Sequence, residues 1–92
     1  MKDWEMLLLC ICTWIETGKN PGEMKAKDIE IEDGKMMGVN EYKEAARELN
    51  RRGYLPNYAE KGDIIFLGAE VSESAIKEVD NIMERYKNFY QD

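Results

Sequence analysis

Apolar positions recur at helical spacing in three stretches of the chain and at strand spacing in a fourth region, and residues that break such elements sit between them. From Asp3 to about Thr17, Trp4, Leu7, Leu8, Ile11, Trp14 and Ile15 share one broad helical face, and Met6, Leu9 and Cys10 extend the apolar surface beyond it. Asp3 is the expected N-cap; Gly18 and the Asn20-Pro21-Gly22 cluster are the expected stop. A helix so widely apolar belongs at the centre of the fold or under another subunit.

Between Met24 and Gly38 two patterns compete. Ile29 and Ile31 alternate with the carboxylates of Asp28, Glu30, Glu32 and Asp33 as an edge strand would, while "GEMKAKD" before them reads as a helical turn or two. The favoured expectation is short helix followed by an irregular connection through Gly34 and Gly38. In the next segment Val39, Tyr42, Ala46 and Leu49 repeat in steps of three and four, with Val39 and Asn40 as expected staple and N-cap and Gly53 as the left-handed stop. "YLPNY" and "DIIFLG" then predict two short strands joined at "AEKG", the first interrupted or edge-placed because Pro56 has no N–H for a ladder. Ser72 is positioned to cap a last helix reaching about Tyr90. That helix carries two seams: Ile76, Val79, Met83, Tyr86 and Tyr90, the expected core face, and Ala75, Ile82 and Phe89, the expected dimer interface if a twin chain covers the second.

The order of elements predicts one α+β domain over residues 1–92, mostly helical: a winged helix-turn-helix with a two-stranded hairpin and a long C-terminal helix. From "MLLLCICTWIETG" through "YKEAARELNRRGYL" to "IIFLGAEVSESAIKEV" the chain resembles the small YjcQ-type winged-helix proteins of bacteria and their phages. Leu49, Gly53, Tyr54 and Leu55 match that family's motif at the end of the middle helix. Val71, Ser72, Ile76 and Val79 match the start of its last helix in spacing, with Ala75 and Glu78 where Gly and Tyr are expected. The resemblance implies the fold and a prokaryotic or phage origin, and no activity.

Composition narrows the function classes. At 92 residues, 43% of them hydrophobic, the chain is long enough for a core of its own without metal or disulfide support. Thirteen basic against 19 acidic residues give a net charge of −6, the wrong sign for holding a polyanion by general electrostatics. Cys10 and Cys12 project about 200° apart on a helix and cannot bridge, which points to free thiols in a reducing cytoplasm. The apolar run from Met6 to Cys12 is shorter than the ~20 residues a membrane span needs, and Asp3 and Glu5 stand where an export signal is basic.

Chemistry is scarce. With no histidine, Ser-His and Cys-His nucleophiles and most zinc sites are excluded. A calcium loop with Gly34 at its sixth position would begin at Ile29 and end at Asn40, so its ligand pattern fails. No enzyme, metal or cofactor is expected. Two kinds of binding module remain, beside a plain assembly module held together through Ile76, Val79, Ile82, Met83 and Phe89. In one, Asn40, Lys43, Arg47, Asn50 and Arg51 enter a DNA groove and Lys61 at the hairpin tip meets phosphate. Against it, the span from Asn40 to Leu55 holds four basic and three acidic residues, a net of only +1. In the other, slightly favoured, the acidic residues Asp28, Glu30, Glu32, Asp33, Glu60 and Asp63 dock on a basic protein, such as a nucleic-acid-binding host defence nuclease.

Overall fold

The computed structural model describes the backbone of residues 1–90 and the side chains of residues 1–87. Helix α1 spans Asp3–Glu16 and buries Trp4, Leu7, Leu8 and Ile11, as the periodicity predicts. Its N-cap is Lys2 rather than Asp3, because the side chain at the third helical position, Glu5, turns back and accepts the Lys2 backbone N–H at 2.8 Å. Gly18 follows the helix at positive φ. The Gly18 N–H bonds the Ile15 carbonyl and the Lys19 N–H that of Trp14, which satisfies the last carbonyls of α1.

Two 3₁₀ turns follow, Pro21–Glu23 and Ala26–Asp28. The connection expected to be irregular is instead a small antiparallel hairpin, β1 (Glu30–Glu32) with β2 (Lys35–Met36), turning at Asp33 and Gly34. The alternation of Ile29 and Ile31 was its signal: Ile29 is fully buried and Ile31 partly so, while the carboxylates between them face water.

Helix α2 spans Val39–Arg51 and buries Ala45, Ala46 and Leu49 against α1. It starts one residue before the expected cap: Gly38 occupies the N-cap position, its carbonyl accepting the Tyr42 N–H at 2.9 Å, and Val39 points into solvent rather than acting as a staple. Gly53, at φ +77°, closes α2 as predicted, with its own N–H on the Asn50 carbonyl and the Tyr54 N–H on that of Leu49.

The second hairpin pairs β3 (Ala59–Lys61) with β4 (Ile64–Phe66). Its turn is Gly62-Asp63, so "AEK", expected in the turn, is strand, and "YLPNY" is not. Gly62 at φ +61° supplies the left-handed first position that a tight two-residue loop requires. Helix α3, Glu73–Tyr90, begins after Ser72, whose Oγ accepts the Ala75 N–H at 3.2 Å.

The two seams of α3 divide the core between them. Ala75 and Ile82, expected at a dimer interface, are 0% exposed and belong to the core shared with α1; of the seam expected in the core, Val79 and Tyr86 are partly buried against it, while Ile76 and Met83 are 54% and 61% exposed. Ala75 suits the core because its small side chain allows the close approach of two helices. The Phe89 side chain lies outside the described residues.

Among the described residues, three α-helices, two 3₁₀ turns and two separate two-stranded sheets thus make a compact α+β fold. The segment where a helix-turn-helix would carry its second helix holds the two 3₁₀ turns and the first hairpin.

Candidate interaction surfaces

The predicted basic stripe lies on the exposed side of α2, and the chain neutralises most of it. Arg47 donates through Nη1 to Glu44 at 2.9 Å and through Nε to Glu60 of β3 at 3.0 Å. The Tyr58 hydroxyl donates to the same Glu60 oxygen. In this three-residue strap the Tyr58 phenol is pushed up to about 12, by partial burial first and then by the Glu60 carboxylate it bonds. Glu60 is held below the usual carboxylate value by the Tyr58 hydrogen bond and by Arg47. Arg51 and Arg52 both pair with Glu48, at 2.7 and 2.8 Å, and Arg52 also lies 4.0 Å over the Trp4 ring, tying α2 to the start of α1.

The fourth arginine is engaged elsewhere. Arg85 of α3 pairs with Glu5 of α1, whose side chain is 1% exposed and also accepts the Tyr86 hydroxyl at 2.9 Å. Burial alone would raise the Glu5 carboxyl; the Lys2 N–H, the Tyr86 hydroxyl and Arg85 outweigh it and leave it below the ordinary value. Sequence reasoning passed over this residue. Its one local sign is its position about 60° around the helix from buried Leu8, at ~100° per residue.

All four arginines of the chain therefore sit in intrachain ion pairs. Of the other residues predicted to meet DNA, Asn40 and Asn50 are exposed on α2, Lys43 is half-buried near Glu60, and Lys61 is exposed beside the second turn. Among the described residues none of these four makes an ion pair.

The predicted acidic residues fall on two separate hairpins and the 3₁₀ turn before the first. Asp28, Glu30, Glu32 and Asp33 are exposed along the second 3₁₀ turn and the first hairpin, and among the described residues no cation lies within ion-pairing distance of them; Asp28 accepts the Lys25 backbone N–H at 2.9 Å. Glu60 and Asp63 belong to the other hairpin, where Glu60 is engaged by Arg47 and Tyr58. Asp63 is exposed in the turn.

No family model, curated protein or solved structure matches the chain. Among the described residues, no three carboxylates or thiols gather closely enough to hold a metal ion, and no helix is long and apolar enough to cross a membrane. Burial raises both thiols, Cys12 further through the charge of Glu16, which leaves less of the reactive thiolate.

Proposed function

We propose that the chain is a non-enzymatic acidic interaction protein on a winged-helix-like scaffold, docking through its first hairpin on a basic, nucleic-acid-binding protein. A host defence nuclease has the required character. The observation that carries this reading is an asymmetry of pairing: the arginines are neutralised within the chain, while Asp28 of the second 3₁₀ turn and Glu30, Glu32 and Asp33 of the first hairpin are exposed and make no ion pair among the described residues. Lys35 stands across the strands from Glu32. A net charge of −6 adds long-range attraction for a basic cleft and repulsion for nucleic acid.

A second reading has one observation in its favour. The Arg47–Glu60 bond fastens the second hairpin beside α2, which is the relation between a recognition helix and its wing. In that reading the chain is a DNA-binding regulator; Asn40, Lys43, Asn50 and Lys61 are its unengaged contacts, and Arg47 and Arg51 join them by exchanging carboxylates for phosphate.

One paired experiment separates them. Anisotropy of a labelled random duplex is measured at low and physiological salt, alongside binding of a labelled oligoarginine peptide as a mimic of a basic cleft. The interaction reading expects salt-sensitive peptide binding that weakens when Glu30, Glu32 and Asp33 are replaced by lysine, and no duplex binding. Duplex binding abolished by Arg47→Glu with Arg51→Glu would transfer the function to α2.

A further inference from the structure

We infer that the groove between α1 and α3 is a homodimer interface in which α3 of a second copy lies antiparallel to the first. Two adjoining clefts, about 550 and 230 Å³, run along these helices. Leu9, Thr13 and Met83 line the first; Cys12, Ile76 and Val79 line the second. With Ala75 and Ile82 turned into the core, Ile76 and Met83 form an apolar stripe that the chain's own fold leaves uncovered.

Charge identifies the occupant. Glu16 and Asp80 border the cleft toward the C-terminal end of α1, and Lys87 borders the one toward its N-terminal end. The groove is acidic at one end and basic at the other. Asp80 and Lys87 are seven residues apart on one flank of α3, about two helical turns. A two-fold axis crossing α3 between them, near Met83, sets Asp80 of each copy against the partner's Lys87 and Met83 against its own counterpart. The axis pairs the two charges about Met83 and leaves Ile76 at the edge of the seam; a charge pattern that matches its own reverse is what an isologous interface requires. An unrelated helix would not need the opposed charges to be equidistant from the apolar centre. In the single chain Lys87 pairs with Glu84 at 2.7 Å on the exposed surface, a contact easily exchanged for an intermolecular one.

The test is sedimentation equilibrium of the full chain over about 1–500 μM, a range spanning micromolar to submillimolar self-association. The unmodified chain should dimerise. Met83→Glu should raise the dissociation constant at least about tenfold, the effect of burying an unpaired charge at an interface centre. Its circular dichroism should be unchanged, since Met83 is exposed within one chain. Asp80→Lys should weaken the dimer, and Asp80→Lys with Lys87→Asp should dimerise more tightly than Asp80→Lys alone, because the exchanged charges still face each other while Glu16 keeps its sign. A strictly monomeric chain overturns the inference and leaves the groove to a helix of another protein. A dimer indifferent to Met83→Glu, or one the double exchange fails to tighten relative to Asp80→Lys, overturns it as well. Binding of the oligoarginine peptide by Met83→Glu should equal that of the unmodified chain, so failure of the dimer leaves the docking proposal to its own test.

Discussion

Glu5→Gln isolates the one buried charge of the described fold. The substitution keeps size and shape, and the remaining carbonyl oxygen still accepts from the Lys2 N–H and the Tyr86 hydroxyl. It removes the charge that strengthens both bonds and places an amide N–H₂ against the Arg85 guanidinium. Hydrogen bonds to a charged group contribute about 1.5–3 kcal/mol, and neutral ones about 0.5–1.5. Losing one partner and the charge assistance of two more amounts to about 3.5–6 kcal/mol, and burying a neutral amide in place of a charge offsets part of it, leaving about 2–3 kcal/mol, a large part of the stability of a small domain. The midpoint of thermal unfolding should fall by roughly 10–20 °C at this chain length. The sign with pH follows from the depressed Glu5 value. A carboxyl held below its unfolded value, about 4.3, contributes in full above that pH and loses the contribution as pH falls through the folded value. Urea melts followed by tryptophan fluorescence at pH 7, 5 and 3 should therefore show a constant gap between the two proteins at the first two values and a closing gap at the third. A gap under about 0.5 kcal/mol at pH 7, the size of an ordinary surface change, would refute the argument. So would a gap of equal size at pH 3.

The same melts test the orientation of α3: Ile82→Ala should cost about 2–5 kcal/mol and Ile76→Ala less than about 0.5, and the opposite order would mean the helix is rotated from its described position. Gly68 has φ +81°, and a Cβ there would come within 2.7 Å of the Asn57 Cβ, so Gly68→Ala should lose more than the ~1–2 kcal/mol of a left-handed alanine. Gly53→Ala, with open space around it, should lose only that amount, and equal losses would reject the close approach. Tyr58 should titrate at about 12 by ¹³C NMR, and Glu60→Gln should lower its midpoint. Because the folded value is the raised one, the strap's contribution is present below about pH 10 and lost as pH rises toward the folded value; a Tyr58 midpoint near 10 in the unmodified chain would count against the strap.

Helical periodicity located all three helices because each buries a stripe against its own chain, and Gly18, Gly53 and Ser72 marked ends that the hydrogen bonds confirm. Periodicity could not choose between the seams of α3. Both are spaced in threes and fours, and only the neighbouring helix decides which is covered. Pairings between elements were equally illegible. The spacing of Glu44 with Arg47 and of Glu48 with Arg51 and Arg52 makes pairs within α2 legible, yet Arg47 has a second partner thirteen positions away on β3, and nothing near Glu5 points to Arg85, eighty positions away. The hairpins were half legible for a related reason. Strand alternation was visible in both, but two- and three-residue strands leave the turn glycine as the main register mark, and Gly62 places that turn two residues beyond the middle of "AEKG".

The pairing of the arginines does not by itself prevent nucleic-acid binding, because exposed ion pairs are weak and a phosphate can replace a carboxylate. What the pairs reveal is where the acidic partners stand. An arginine of α2 that turned toward a phosphate would release Glu44, Glu48 or Glu60 beside the same phosphate, so every new bond to the nucleic acid brings a repulsive charge with it. Lys43 and Lys61 lack such partners but are two point charges in a chain of net −6. A basic protein meets the opposite situation: the first hairpin offers carboxylates that need not leave any arginine, and approach is favoured at every distance within a Debye length, about 8 Å at physiological salt. Raising salt should therefore slow association with a basic partner more than it speeds dissociation, a difference that stopped-flow mixing with the oligoarginine peptide reads directly. An effect confined to dissociation would mean that the hairpin acts through close contacts, and the long-range argument from net charge would fail.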